Sequence, residues 1–393
     1  MRQKLEIISK ILNGLLNNMF DAKHYVPILR WKTAEKEALK ELTEKDRLII
    51  TPLLELIMPA RKRLKRGEAK KTPEEYKTQS IEKLKGTLPN LPKEILKYWG
   101  NSPIFIDLNL LTSGALQKWG YTEIMSKGPA IGSRVIPVIR INSDIDVEGT
   151  IIKIIKQYES GVCLRILRAD LSSNKLATSI NEFIKRNDLK HEQVDLLVDF
   201  ELVEGMPQEE YSKIVKSINN IPDLIRWRTF TVAGGAFPFD LSRFSPHATY
   251  RIPRSDWAYW LKEIYSGTQK RKPAFADYTI QHPIYTEPNP EANPSASIRY
   301  SGESEWVIMR GEALHKIDKD GNEGPGHSQY PSHAQLLMSQ PEYKGKGFSY
   351  GDAYIAEKGE DVDTPNTGSP RTWLRAGVNH HLVLVANQIS NLP

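Results

Sequence analysis

YVPILRWKTAEKEAL, residues 25–39, changes its hydrophobic period halfway along, and that change decides the class of fold. Val26, Ile28 and Leu29 read as a short buried strand. From Ala34 the spacing becomes helical, with Ala38, Leu39 and Leu42 on one face. Arg30, Trp31, Lys32 and Glu35 stand at the handover, where they suit the rim of a pocket better than a core.

The same handover recurs along the chain. RLIITPLLEL (47–56) ends near Glu55, PIFIDLNLL (103–111) carries Asp107, and RVIPVIRI (134–141) ends at Arg140. GVCLRILRAD (161–170) holds Arg165, Arg168 and Asp170, and VDLLVDFEL (194–202) holds Asp199 and Glu201. WRTFTVAGGAFP (227–238) and ADYTIQHPIY (276–285) complete eight apolar runs, the last with Gln281 and His282. Segments of helical spacing, such as NKLATSINEFIKRN and QEEYSKIVKSINN, lie between them. Strands alternating with helices imply parallel pairing through right-handed crossovers, and near-continuous apolar runs suit strands covered on both faces. Eight of them predict an α/β fold with a closed (β/α)8 TIM-like barrel. Its usual size of roughly 250 residues matches residues 22–286. An open doubly wound sheet lacks its fingerprint here, since no G-x-G-x-x-G or Walker sequence follows the early strands.

Composition supports a soluble globular protein. The 393 residues carry a net charge of +6, much of it from ARKRLKRGEAKK (60–71), which reads as a solvated loop. The single cysteine, Cys163, lies in an apolar run, so no intramolecular disulfide forms and a cytoplasmic location is expected. Leu5, Ile8, Leu12, Leu15 and Met19 recur at helical spacing, predicting an amphipathic N-terminal helix over residues 1–21. No run is long and apolar enough for a membrane span.

After residue 286 the texture changes. A Pro-, Asn- and Ser-rich link leads into strand-like pieces around EWVIM, a short helix at SHAQLLMSQ, and the closing words FSYGD and TWLRAGVNHHLVLVANQI. This predicts an α+β extension over residues 287–393 that packs over the barrel mouth, bringing Arg371, Asn379 or His380 to the carboxylates. DKDGNEG (318–324) lacks the closing acidic ligand of a calcium loop and reads as a polar turn. Adjacent His380 and His381 point different ways and make a poor chelate.

In such a barrel the C-terminal strand ends form one rim, where active sites sit. Glu55, Asp107 and Asp199 are the candidate catalytic groups, as acid–base residues or as ligands of Mg²⁺, the candidate cofactor. Arg30, Lys32, Arg140 and Arg168, with His282 and His380, are the candidate substrate-binding groups, with the cations suited to phosphate oxygens.

YVPILRWKTAEKEALKEL followed by ITPLLEL resembles the opening of the phage and bacterial beta-protein family, which begins P-x-L-R-x-K-x-x-E-x-x-A-L and continues with a strand bearing P-x-x-E. SHAQLL, FSYGD and TWLRAGVNHHL are similar to its C-terminal half. The resemblance runs from about residue 24 onward and implies weight for Arg30, Lys32, Glu35 and Glu55. It implies a phage, mobile-element or antiphage-defence context and supplies no reaction. Two functions follow as expectations. One is an enzyme acting on a nucleotide or nucleic acid. The other is a non-catalytic sensor regulating a partner protein such as a nuclease, for which Trp257, Tyr259 and Trp260 offer aromatic anchors.

Overall fold

The computed structural model describes residues 22–61, 69, 71–317 and 319–393. The N-terminal helix expected over 1–21, most of the basic run and Asp318 lie outside the described residues. Strands are numbered in chain order. β1 (Tyr25–Leu29), β2 (Leu53–Glu55), β3 (Ile104–Asp107), β4 (Val135–Arg140), β5 (Val162–Leu167), β6 (Val194–Leu202), β7 (Thr229–Gly235) and β9 (Ala274–Asp277) close into one parallel barrel in that order. The predicted (β/α)8 TIM-like barrel is therefore the fold.

Alternate residues point inward. Val26, Ile28, Leu53, Phe105, Val138, Cys163, Leu197, Ala233 and Ala276 pack one another inside, as the period of two requires. Burial pushes the Cys163 thiol well up, in keeping with a core residue. The intervening helices start at caps legible in the sequence: Thr72, Ser113 and Asp144 each accept a backbone N–H of the first turn.

Two strand ends and the register shift of β6 share one device. Asp107, Asp199 and Asp277 each turn an Oδ1 onto the backbone N–H two residues on, at 2.7, 2.8 and 3.0 Å, to Asn109, Glu201 and Thr279. Such turns end a strand by offering its backbone another acceptor. This is why the eighth strand stops at Asp277 and residues 278–285, expected to prolong it, form a rim loop instead.

The tail is woven into the barrel. β8 (Ala248–Pro253), inserted between two barrel strands, pairs with β11 (Glu305–Arg310), which pairs with β10 (Ile298–Ser301), all antiparallel. The closing helix Pro370–Ser390 packs on the helix Thr33–Lys40, on β1 and on β10. It occupies the place of the eighth barrel helix, outside the wall. Its run Ala376–Ala386 is buried on every side, which explains a sequence with no amphipathic stripe.

A buried polar layer joins this helix to the wall. Outward-facing Asp277 accepts from Tyr25 Oη at 2.6 Å and pairs with His381 Nε2 at 2.8 Å, while His381 Nδ1 meets Ser301 Oγ at 2.7 Å. Beside it, burial and then the Asp277 charge push Asp256 up to about 7. A carboxyl raised in the folded state favours folding below its ordinary value near 4, and that contribution is lost as pH climbs through about 7. Asp256→Asn should therefore gain on the wild-type chain between pH 5 and pH 8, by on the order of 2–4 kcal/mol. Urea denaturation across that range measures it, and a difference flat in pH would refute the assignment.

Candidate functional site

The inward positions late in β2, β3, β5 and β6 carry Glu55, Asp107, Arg165 and Asp199, all buried. Arg165 is the hub. Its Nη1 donates to Asp107 Oδ2 at 2.6 Å and lies 2.9 Å from Glu55 Oε1. Its Nε and Nη2 donate to Asp199 Oδ2 at 3.0 and 2.5 Å, and Nη2 also reaches Tyr278 Oη at 2.8 Å. Tyr278 in turn donates to Asp199 at 2.6 Å. One guanidinium thus holds three carboxylates that would otherwise repel.

The environments of the acids differ. Burial raises Asp107, but Arg165, Arg140 and the Asn109 donors carry it below the ordinary carboxylate value. Glu55 stays raised: burial outweighs the draw of Arg165 and Arg30. Its Oε2 and Arg30 Nε stand 3.6 Å apart, and neither has a hydrogen-bond partner. Glu201, half-buried, is raised by burial and then by Asp199. β6 shifts register between Asp199 and Leu202, and Glu201 sits there with φ 57°. A bulge with left-handed, non-glycine backbone is a strained way to aim one side chain, and such devices gather at functional sites. Trp31 and Thr279, with φ 54° and 57°, stand at two other strand exits of the same rim.

Above this buried layer lie cations. Arg30 donates from Nη2 to the carbonyls of His282 and Pro283, at 2.9 and 2.6 Å, and so fixes the loop after β9. Tyr285 spreads its ring 5.4 Å from Arg30 Cζ and 5.8 Å from Lys32 Nζ. Lys32 is lowered by burial, only partly offset by Glu35. Among the described residues Lys32, Arg140 and Arg168 form no ion pair. Arg168 donates to Leu202 O at 3.2 Å, whereas among the described residues the Arg140 guanidinium makes no hydrogen bond and its Nε is buried without a partner.

The structure brings Arg30, Lys32, Glu55, Asp107, Arg140, Arg168, Asp199 and His282 to one end of the barrel. His282 lies on the rim loop, edge-on to Phe239 at 5.3 Å. His380 is the exception. It is fully buried between Asp352, 2.7 Å from Nδ1, and Ser301 O, 2.8 Å from Nε2. Asn379 likewise is spent on Ala38 O and Gly351 N. Both belong to the packing of the closing helix, because that helix flanks the barrel and does not cross its mouth.

Glu35 is a clip for the first strand exit: fully buried, it accepts from Arg30 N and Lys32 N at 3.0 and 2.8 Å and from Gln281. Strand-end position alone singles out neither Arg165 as the hub nor Tyr278. Phase would have found both, since Arg165 follows inward Cys163 by two and Tyr278 follows Ala276 by two.

Glu55, Asp107 and Asp199 do not form a metal cage. Their inner oxygens are occupied by Arg165, and among the described residues no three His, Cys, Asp or Glu side chains are grouped to hold a metal ion. Two of the three aromatic anchors of the sensor reading are core, Trp257 stacking on Trp260 at 5.6 Å with both packed on Phe275, while Tyr259 is partly buried and donates to Met206 O at 2.9 Å. No described helix is long and apolar enough to cross a membrane.

Among solved structures, the spore cortex-lytic enzyme SleL of Bacillus megaterium QM B1551 is similar at 10% identity and a TM-score of 0.23, over 92% of this chain and 74% of that one. That likeness is too slight to bear on function. No curated protein matches the sequence. The resemblance seen in the opening strand–helix unit and in the closing helix is confirmed over nearly the whole length: residues 25–387 match the Beta protein family, and the chain belongs to it.

Proposed function

We propose that the barrel mouth binds and acts on a phosphate-containing substrate, a nucleotide or a nucleic-acid end. One observation carries this reading: the accessible layer of the mouth offers Lys32, Arg140 and Arg168 without ion-pair partners, against Glu201 as its half-buried acid. The carboxylates below are already balanced by Arg165, with Arg30 and Arg140 beside them. Half-buried cations whose nearest carboxylates make no direct ion pair with them are well placed to take a phosphate as their partner. Any Mg²⁺ would arrive on the substrate's own phosphates, the ordinary mode for this ion. Glu201 and Glu55, both raised above the ordinary carboxylate value by burial, are the groups suited to proton transfer. The proposed setting is cytoplasmic, in a phage or antiphage-defence context.

Calorimetric titration of a nucleotide panel tests the binding. Arg140→Ala should weaken the best ligand about 10–100-fold, the worth of charge-assisted hydrogen bonds. Glu201→Gln should keep that affinity and abolish turnover. Equal affinity in wild type and Arg140→Ala, across the whole panel, would sink the reading.

A further inference from the structure

Beside the mouth, between the loop after β7 and the tail, lies a cavity of about 380 Å³. Two arginines enter it. Arg310 spends Nε on Leu241 O and Phe244 O, both at 3.1 Å, and Nη1 on Ser297 Oγ at 3.1 Å and Gly311 O at 2.9 Å. Arg299 donates to Ile280 O at 3.1 Å, with its Cζ 5.1 Å from the Phe237 ring centroid. Neither forms an ion pair among the described residues, and each lies within the other's field. The carboxylate on the cavity wall, Asp240, is exposed and engaged by Ser242, which donates from N and Oγ at 2.8 and 2.6 Å.

Two further features point the same way. The 21-residue helix Pro370–Ser390 opens onto the cavity with its positive end. Tyr330, fully buried and stacked on Trp373 at 5.2 Å, lines the cavity, and its hydroxyl has no hydrogen-bond partner. A buried hydroxyl left unpaired costs stability unless something supplies its acceptor. Two guanidiniums without a direct ion pair, Arg310 feeling only the exposed Asp240 charge, a helix N-terminus and an orphan hydroxyl around one space all suit an anion.

We propose that this cavity is a second ligand site, adjoining the barrel mouth, for an organic phosphate: a dianion held by Arg299, Arg310 and the Tyr330 hydroxyl, with an apolar body against Phe239 and Trp373. A dianion matches two guanidiniums better than a carboxylate does, and the space exceeds what a bare phosphate needs. The site does not rest on the reading of the mouth.

Phenyl phosphate is the probe, titrated calorimetrically into the full chain carrying Arg140→Ala, so that the mouth is weakened and the cavity is read by its own response to Tyr330→Phe. One equivalent should bind, and benzoate should bind distinctly more weakly. Adding Tyr330→Phe should weaken phenyl phosphate roughly tenfold, as loss of a hydrogen bond to a charged group does. The same substitution should leave the thermal midpoint unchanged or higher, because the hydroxyl bonds nothing in the free protein. Absence of binding, benzoate binding as tightly as phenyl phosphate, or affinity indifferent to Tyr330→Phe would each overturn the proposal.

Discussion

Replacing Arg165 by methionine is expected to destabilise the protein by about 3–5 kcal/mol at pH 7, the cost of removing one partner from a buried ion-pair cluster. Methionine keeps most of the side-chain volume, so the loss is electrostatic rather than a cavity. Glu55, Asp107 and Asp199 would then face one another with no cation among them, and Tyr278 would keep only its bond to Asp199. The sign of the pH dependence follows. In the wild type Asp107 is held below its ordinary value, so its contribution is present above that value and lost as pH falls. Without Arg165 the carboxylates repel one another with no cation among them, so the variant's deficit is largest at neutral pH and shrinks toward pH 4. Urea denaturation at pH 7 and pH 4.5 measures both. A deficit below about 1 kcal/mol at pH 7, the level of a surface pair, would show that Arg165 is not the hub.

The same cluster shows what could be read from the chain. Glu55, Asp107 and Asp199 were legible because each stands late in an apolar run and in phase with an inward residue, Leu53, Phe105 and Leu197. Arg165 and Arg168 stand on one run, and position alone favoured the later one. Phase favours Arg165: Arg168 opens the short helix Arg168–Leu171 beyond the strand. The insertion between β7 and β9 was not legible. β8 finds its partners some 50 residues on, Tyr250 opposite Ile308 and Ile252 opposite Trp306, and no local period records a pairing that distant. The closing helix hid its nature for a different reason. Buried on every side and carrying Asn379, His380 and His381 among its apolar residues, it shows neither the helical stripe nor strand alternation on which such reading depends.

That helix also fixes what the chain does when shortened. A chain ending at residue 290 is expected to be insoluble, or soluble only as an expanded state without a cooperative transition. The cut removes β10 and β11, leaving β8 without a neighbour, and it strips the outer wall of β1 and β9. Trp373, Val378, Leu382, Leu384, Val385 and Ile389 are all buried in the intact chain, each worth about 1.5–3 kcal/mol of burial. Their joint contribution rivals the whole stability of an ordinary domain, about 5–15 kcal/mol. The polar layer fails with them, since Asp277 loses His381 and keeps a buried charge beside Asp256. Co-expressing residues 291–393 as a separate chain should restore soluble protein, because the two pieces then rebuild one shared core. The decisive measurement is the unfolding transition of the shortened chain by itself. A sharp, cooperative transition from a soluble monomer would mean that residues 22–290 form a complete barrel and that the closing helix is an ornament on it.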